Sequence, residues 1–180
     1  MVPCVIRLWM KYRFVTSPEK KRVRKQKSLR DFSQSLPMTL LRAREAVMGR
    51  FRPNLRAHQL TDQQWRVLRA LLDHGKKNLG ELAGVCCLLK PSITRIIRSL
   101  EQRDLLEKHG DTSDHRRMIV SISAKGRDLV AKAGRKSEEI YQDIEAEFGD
   151  YELADLFKKL DILIIKLDKV KYSKQKRPVQ

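Results

Sequence analysis

The sequence predicts a mainly α-helical fold with a small β-wing, that is, a winged helix-turn-helix with long helices at its N- and C-terminal ends. Three observations predict it. A short amphipathic segment, Pro91–Arg103, has one apolar face and one basic face. Two strand-like runs, Leu105–Lys108 and Met118–Ile122, follow it and are joined by a turn with the sequence Gly-Asp-Thr-Ser at residues 110–113. Helical periodicity fills most of the chain on either side of these segments.

The first two helices are predicted from periodicity and from a capping signal. Apolar residues recur at helical spacing over Leu36–Ala57, in which Pro53 should kink the helix or mark its last turns. Thr61 and Gln64 have the spacing of a capping box at the start of the second helix, and Gly75 should end it. The predicted buried face of the second helix consists of Trp65, Leu68, Leu71 and Leu72.

The third and fourth helices form the predicted helix-turn-helix. Helix 3 should start at Asn78, with Glu81 three residues further on, and helix 4 has Pro91 at its first position. The spacing of Ile93, Ile96, Ile97 and Leu100 predicts an inward-facing stripe on helix 4. The residues of this helix that we expect to contact DNA are Lys90, Ser92, Thr94, Arg95 and Arg98.

The turn between the two strands leads into four polar residues, Asp114, His115, Arg116 and Arg117. A basic helix followed by a basic hairpin suits DNA, because the helix can read the major groove while the hairpin reaches the minor groove or the backbone. A merely solvated helix face is the alternative for the arginines of helix 4, but the hairpin favours DNA contact. We therefore expect a DNA-binding regulator.

The charge of the chain agrees with this expectation. Charged residues make up 34% of the sequence and the net charge is +17, which predicts a polyanionic partner. Residues 1–30 contain ten Lys or Arg and one acid, Glu19, and therefore carry +9. We expect residues 1–35 to form a basic, disordered arm, either an arbitrary extension or a segment that contacts DNA, and residues 173–180 to form a basic tail.

The cysteines and histidines do not predict a metal site, a disulfide framework or a cofactor. Cys4, Cys86 and Cys87 lack CxxC spacing, and the four histidines are scattered. Cys86 and Cys87 are interpreted as small buried residues behind the recognition helix rather than as a redox switch. We expect no enzyme, because the sequence has no Gly-rich phosphate loop and no nucleophile beside a plausible base.

No apolar run approaches the length of a membrane span, and the apolar stretch Val2–Trp9 contains Arg7 and lacks a signal-peptide cleavage pattern. These observations predict a cytoplasmic protein with reduced thiols and without a membrane partner.

The C-terminal third predicts two long helices. Ser123 should cap a helix that runs to about Phe148, and Gly149-Asp150 should break it. The last helix has alternating three- and four-residue spacings, which is typical of a coiled-coil seam. The alternatives are a helix packed on its own domain and a subunit interface, and we favour a homodimer. Residues 36–58 and 123–172 then form a dimerisation region around a DNA-binding domain, residues 59–122. The seam consists of Leu153, Leu156, Leu160, Leu163, Leu167 and Val170.

The order of these elements, together with the Asp-x-Arg-Arg pattern of the wing, resembles the multiple-antibiotic-resistance regulator (MarR) family over about residues 36–170. Four segments are similar to one branch of it, the repressors of homoprotocatechuate (4-hydroxyphenylacetate) catabolic operons and their fatty-acid-resistance relatives. They are Leu-Arg-Ala-Arg-Glu-Ala at 41–46, Phe-Arg-Pro at 51–53, Leu-Thr-Asp-Gln-Gln-Trp-Arg-Val at 60–67 and Cys-Leu-Leu-Lys-Pro-Ser at 87–92.

The resemblance implies a homodimer on a near-palindromic site in double-stranded DNA, with the terminal helices as its interface. It implies that Arg116 enters the minor groove and that Asp114 holds the wing by pairing with Arg117 or a neighbour. It also implies that small aromatic acids bind in a crevice between the dimerisation helices and the DNA-reading part.

The residues allow a corresponding effector hypothesis. Arg42 and Arg44 lie among apolar residues of helix 1, and a guanidinium matches a carboxylate. The alternatives are an internal ion pair, of Arg44 with Glu45 of the other subunit or with an acid on helix 5, and a Trp65 that belongs to the core. The candidate effector-binding residues are Met38, Arg42, Arg44, Phe51, Trp65 and Arg66.

The sequence thus predicts a homodimeric repressor of an aromatic-acid catabolic operon, released from DNA by a small aromatic carboxylate. Two alternatives stay open. One is a fatty-acid or drug-efflux regulator of the same family, and the other is a non-specific architectural protein that binds nucleic acid through its charge.

Overall fold

The computed structural model describes residues 31–110 and 118–175, and the chain divides into two compact units, Met1–Leu40 and Leu41–Gln180. In the first unit a short 3-10 helix, Phe32–Gln34, is capped by Asp31. Residues 1–30 of the predicted arm and residues 176–180 of the predicted tail lie outside the described residues. The elements that follow confirm the predicted fold class. They are α1 (Leu36–Ala57), α2 (Asp62–His74), β1 (Lys77–Asn78), α3 (Leu79–Val85), α4 (Lys90–Glu101), β2 (Leu106–Gly110), β3 (Met118–Ile122), α5 (Ala124–Phe148) and α6 (Asp150–Gln175).

Helices α2 and α3 both start with a capping box. The Thr61 hydroxyl accepts from the Gln64 amide at 3.2 Å, and the Thr61 amide donates to the Gln64 side chain at 3.0 Å. Asn78 and Glu81 repeat this arrangement at 2.9 and 3.1 Å. Each box satisfies two backbone groups that a helix N-terminus leaves without partners. Asn78 is therefore the cap of α3 and the last residue of β1, and the helix itself begins one residue later than predicted.

The two boundaries of α4 differ slightly from the prediction, whereas those of α1 and α5 agree with it. Helix α4 begins at Lys90, so Pro91 is its second residue, and it ends at Glu101 rather than at Arg103. Pro53 is accommodated inside α1, which continues to Ala57. Gly149 ends α5 with φ 99°, as predicted, and α6 begins at the next residue.

Helices α1, α3 and α4 end in the same way. In each, a non-glycine residue adopts the left-handed conformation, and the amide of the following leucine donates to a carbonyl five residues back, the arrangement of a Schellman motif. The left-handed residues are Gln59 (φ 54°), Cys87 (φ 50°) and Asp104 (φ 58°), and the leucine bonds are Leu60 to Leu55 at 2.8 Å, Leu88 to Ala83 at 2.9 Å and Leu105 to Leu100 at 3.0 Å.

The strands form one antiparallel sheet in the order β1-β3-β2. Leu106 pairs with Ile122 at the base of the β2–β3 hairpin and Gly110 pairs with Met118 at its outer end, while Lys77 of β1 pairs with Val120. The inner face of the sheet joins α2, α3 and α4 around one core. Its large side chains with less than 2% exposure include Leu68, Leu71, Leu82, Ile93, Ile97, Leu100 and Val120.

Candidate nucleic-acid interface and effector crevice

Helix α4 has two chemically distinct faces. Its isoleucines at 93, 96 and 97 and Leu100 are buried in the core, which confirms the predicted inward stripe. On the opposite face Thr94, Arg95 and Arg98 are exposed, Lys90 is exposed at the first turn and Ser92 is half-buried. The structure therefore brings the five predicted residues of this helix to its outer side or its leading end.

The two arginines of this face are available to an external anion. The Thr94 hydroxyl donates to the Lys90 carbonyl within the helix at 3.1 Å. By contrast, no acceptor among the described residues engages the guanidinium of Arg95 or Arg98. A helix face with unpaired, exposed arginines suits phosphates and the acceptor edge of guanine.

Helix α4 is held firmly on its inner side. Gln64, whose carbonyl closes the α2 capping box, also donates from Nε2 to the Ser99 hydroxyl at 3.2 Å. At the other end Lys108 of β2 forms an ion pair with Glu101 of α4. These contacts fix α4 between α2 and the wing, so its outer side chains form a surface of defined geometry.

Both wing strands are present, with β3 over Met118–Ile122 as predicted. Strand β2 starts one residue later and ends two residues later than predicted, so Gly110, predicted as the first turn residue, belongs to the strand. The predicted contact residues Asp114, His115, Arg116 and Arg117 lie outside the described residues. Gly110, before this segment, pairs with Met118, directly after it, in the antiparallel β2–β3 ladder. The roles assigned to these four residues stay predictions.

A crevice of about 220 Å³ lies between α1, α2 and α5. An apolar cavity of roughly 150 Å³ is enough to hold benzene, so this volume suits one substituted ring. Four of the six predicted effector residues line it, and the other two, Met38 and Arg42, lie earlier on α1. The lining residues are Arg44, Val47, Met48, Phe51, Asp62, Trp65, Arg66 and Tyr141.

Aromatic rings form two sides of this crevice. The rings of Phe51 and Tyr141 lie 4.9 Å apart at 59°, which joins α1 to α5. Trp65 is half-buried, and the guanidinium of Arg69 lies 5.9 Å from its ring centre. A planar aromatic ligand gains by stacking or edge contacts with such walls.

The charges at the rim of the crevice form a closed network. Arg44 is 2.6 Å from Glu45 and 3.7 Å from Asp62, while Arg52 is 2.7 Å from Glu45 and 3.0 Å from Asp62. The hydrogen bonds that Arg52 donates to Asp62 and, to a lesser extent, to Glu45 raise the pKa of its guanidinium above the ordinary value. Arg44 therefore forms an internal ion pair, which was the alternative to an effector contact. Its partners are Glu45 of the same chain and Asp62 of α2 rather than the predicted Glu45 of the other subunit or an acid on helix 5.

Arg66 connects the crevice to the helix-turn-helix. Its Nη1 donates to the Cys86 carbonyl at 2.7 Å, and the Cys86 thiol lies 3.7 Å from the Arg66 carbonyl. Cys86 is fully buried, and this burial raises the pKa of its thiol while the charge of Arg66 opposes the shift. The prediction that Cys87 is also buried is wrong, because its left-handed backbone at the end of α3 turns the side chain outward.

Sequence reasoning missed four lining residues, the apolar Val47 and Met48 of α1 together with Asp62 and Tyr141. Asp62 is the first residue of α2, where an acid is usual because it interacts well with the helix dipole, so its position alone gave no signal. Tyr141 follows the buried Ile140 on α5, and only the packing of α5 against α1 brings it to Phe51.

Comparisons with known proteins support one family. The MarR family model matches residues 60–118, which include α2, the helix-turn-helix and the start of β3. The homoprotocatechuate degradative operon repressor of Escherichia coli is 36% identical over 130 residues, 72% of this chain and 88% of that protein.

Two solved structures have the same fold. NadR in complex with 4-hydroxyphenylacetate has a TM-score of 0.67 at 34% identity, over 76% of this chain and 96% of NadR. The repressor CouR bound to a 23-mer DNA duplex has a TM-score of 0.67 at 27% identity, over 73% of this chain and 94% of CouR. On the extent of these matches, the chain belongs to the MarR family of DNA-binding transcriptional regulators.

Proposed function

We propose that this protein is a homodimeric repressor of an aromatic-acid catabolic operon, released from its operator by a small aromatic carboxylate. The observation that carries the proposal is the crevice, which combines Trp65, Phe51 and Tyr141 with the guanidinium groups of Arg44 and Arg66. Support comes from NadR, a relative solved with 4-hydroxyphenylacetate, and from the related E. coli repressor of homoprotocatechuate degradation.

In this proposal α4 enters the major groove and its exposed arginines contact base edges or phosphates. Arg116 enters the minor groove, with Asp114, His115 and Arg117 beside it at the tip of the wing. The DNA-bound relative CouR supports this use of the fold. A dimer places two such units on two half-sites about one helical turn apart, so the operator is nearly palindromic.

Release follows from a shift between two conformations of the dimer. A ligand can move that equilibrium only by binding one conformation more tightly than the other. The crevice lies between helices of the proposed dimerisation region, α1 and α5, and a helix of the reading domain, α2. A ligand there contacts both parts and is placed to favour a separation of the two reading helices that does not fit the operator.

The DNA part is tested by measuring operator affinity with fluorescence anisotropy, on a site obtained by binding selection. Arg95→Ala and Arg98→Ala should each weaken binding by about 1–3 kcal/mol if the residue makes a bidentate base contact. Arg135→Ala, which removes an exposed arginine of α5, is the matched control and should change little. Equal affinity for all four proteins would contradict the assignment of α4 as the reading helix.

The effector part is tested by calorimetry with 4-hydroxyphenylacetate, other aromatic acids and a long-chain fatty acid. We expect an aromatic carboxylate to bind and to weaken operator binding, and we expect Tyr141→Phe or Trp65→Ala to reduce its affinity. Tyr151→Phe, at an exposed position on α6, is the control. Tight binding of the fatty acid alone would instead support the fatty-acid alternative, and no binding by any acid would exclude this ligand class.

A further inference from the structure

Arg66 belongs to two sites at once. Its side chain lines the crevice beside Trp65 and Asp62. The same guanidinium donates to the Cys86 carbonyl, which lies in the turn between α3 and α4. One side chain on α2 therefore extends from the proposed effector site to the segment that sets the start of the reading helix.

The Cys86 carbonyl needs this donor. Cys86 is the C-cap of α3, and the last carbonyls of a helix have no partner within the helix. A cation at this end of a helix also interacts favourably with the helix dipole. Because Cys86 is fully buried, water cannot easily replace the guanidinium if it leaves. The donor thus stabilises the turn in the form seen here.

We propose that Arg66 is a positioning residue that couples ligand binding in the crevice to the helix-turn-helix by exchanging its hydrogen bond to the Cys86 carbonyl for one to the ligand carboxylate. This inference rests on the proposed function, because it takes an aromatic carboxylate as the ligand. It adds the residue through which the ligand would act on α4, and it does not require Arg66 to touch DNA.

The exchange is favourable for chemical reasons. A carboxylate is charged and can accept two parallel N–H bonds from one guanidinium, whereas the Cys86 carbonyl is neutral and accepts one. When the guanidinium moves, the carbonyl loses its donor, and the turn at Cys87 keeps only the weaker hydrogen bond of the Cys86 thiol to the Arg66 carbonyl on the α2 side. Since α4 begins three residues after Cys87, a change in this turn moves the leading end of the reading helix.

A matched control exists in the same fold. Arg103 donates to the Gln59 carbonyl at 2.8 Å and to the His58 carbonyl at 3.4 Å, so it holds the end of α1 as Arg66 holds the end of α3. Both helices end in a Schellman motif. Arg103 does not line the crevice. Substitution of Arg103 therefore removes the same type of bond without affecting a ligand contact.

The experiment compares Arg66→Met, Arg66→Lys and Arg103→Met with the unchanged full-length protein. Operator affinity is measured without ligand and with saturating 4-hydroxyphenylacetate, and calorimetry establishes saturation for each variant. In the unchanged protein the ligand should weaken DNA binding roughly 5–150-fold, the usual range for coupling between sites. Arg66→Met should bind DNA as weakly without ligand as the unchanged protein does with it, and the ligand should weaken it less than about threefold further.

Lysine at position 66 keeps the charge but lacks the planar fork of the guanidinium. Compared with Arg66→Met, Arg66→Lys should therefore recover much of the lost thermal stability but little of the ligand effect on operator affinity. Arg103→Met should lower thermal stability and keep the full ligand effect. If Arg66→Met kept the full effect at saturation, Arg66 would be only a structural or ligand-contacting residue and the proposal would be wrong, while the proposed function would stand. If the unchanged protein failed to bind any aromatic acid, the proposed effector and this inference would both fall.

A measurement on the unchanged protein keeps the test decisive if the Arg66 variants do not fold. Hydrogen exchange should become faster in residues 86–90 when 4-hydroxyphenylacetate binds, because the turn loses its donor. Residues 58–60, which Arg103 holds, should exchange at the same rate with and without ligand. Ligand-induced release of DNA without faster exchange at residues 86–90 would overturn the proposal.

Discussion

Gly126 lies directly against the backbone of Leu105: a β-carbon at residue 126 would be 2.2 Å from the Leu105 carbonyl oxygen and 2.8 Å from Cγ1 of Ile122. The Ser123 hydroxyl accepts from the Gly126 amide at 2.9 Å and donates to the Asp104 carbonyl at 2.6 Å. The first turn of α5 is therefore packed against the base of the wing, and only a residue without a side chain fits there.

Gly126→Ala should lower the free energy of unfolding by about 3 kcal/mol, the upper part of the usual range for overpacking. The added methyl group would meet a backbone carbonyl and a core side chain, neither of which can turn away. Urea unfolding followed by circular dichroism, at one protein concentration, measures the change.

The control is Gly134→Ala in the same helix, where an added β-carbon meets nothing within 4 Å. Alanine is the better helix former by roughly 0.5–1 kcal/mol, so this variant should be more stable than the unchanged protein. Similar effects of the two substitutions would show that α5 does not pack on the wing as described.

Local signals explain why the helix starts were predictable. Thr61 with Gln64 and Asn78 with Glu81 lie within four residues of each other, and their hydrogen bonds do not depend on distant parts of the chain. Ser123 was likewise predicted as a cap, and its hydroxyl accepts from the Gly126 amide. A pattern that contains the whole interaction can be read directly from the sequence.

Helix ends and the crevice were less predictable, for two physical reasons. Gln59, Cys87 and Asp104 adopt the left-handed conformation without glycine, so the usual sequence signal of that conformation is missing. The crevice depends on tertiary packing, because Tyr141 of α5 meets Phe51 of α1 across 90 positions of the sequence. Helical periodicity identified Leu68 and Leu71 of α2 as buried, but it was wrong for Leu72, which is 39% exposed. It also did not indicate which helices face each other.

Replacing Gln59 by glycine should stabilise the protein. A left-handed conformation costs a non-glycine residue roughly 1–2 kcal/mol, and part of this gain is offset by the extra freedom of glycine in the unfolded chain. We expect a net increase of about 0.5–1 kcal/mol in the free energy of unfolding. Gln102→Gly is the control, because Gln102 has ordinary helical φ −57° and should lose stability. Stabilisation by both substitutions would refute the backbone argument.

The outer face of α6 predicts the dimer interface. Phe157 and Ile164 are each 56% exposed, whereas Leu160 and Leu163 of the predicted seam are half-buried within the chain. Changing both Phe157 and Ile164 to Glu places two charges in the proposed interface, so the protein should become monomeric by light scattering and lose operator binding at the same concentration.

The double variant Lys158→Gln and Lys166→Gln is the control for the effect of charge alone on dimerisation. This pair changes the net charge of the chain by the same amount, since both lysines are exposed on α6 and carry one positive charge each. It leaves the apolar side chains in place, and the dimer should persist. A monomer from the lysine pair, or a dimer from the Glu pair, would locate the interface elsewhere.

The basic N-terminal segment should add affinity without adding sequence preference. Residues 1–30 carry ten Lys or Arg, and contacts of such side chains with phosphates carry no direct sequence information. Each neutralised phosphate adds about 0.9 to the slope of log affinity against log salt, so deletion of residues 1–30 should flatten this slope by about 1 for every phosphate that the segment neutralises. Binding selection with the truncated protein should return the unchanged consensus, because the proposed base contacts come from α4 and the wing. Arg98→Ala is the comparison variant, because it should change the sequence preference instead. It should relax the consensus at one position and reduce the salt slope by at most about 1. An altered consensus after truncation would instead assign base-reading contacts to residues 1–30.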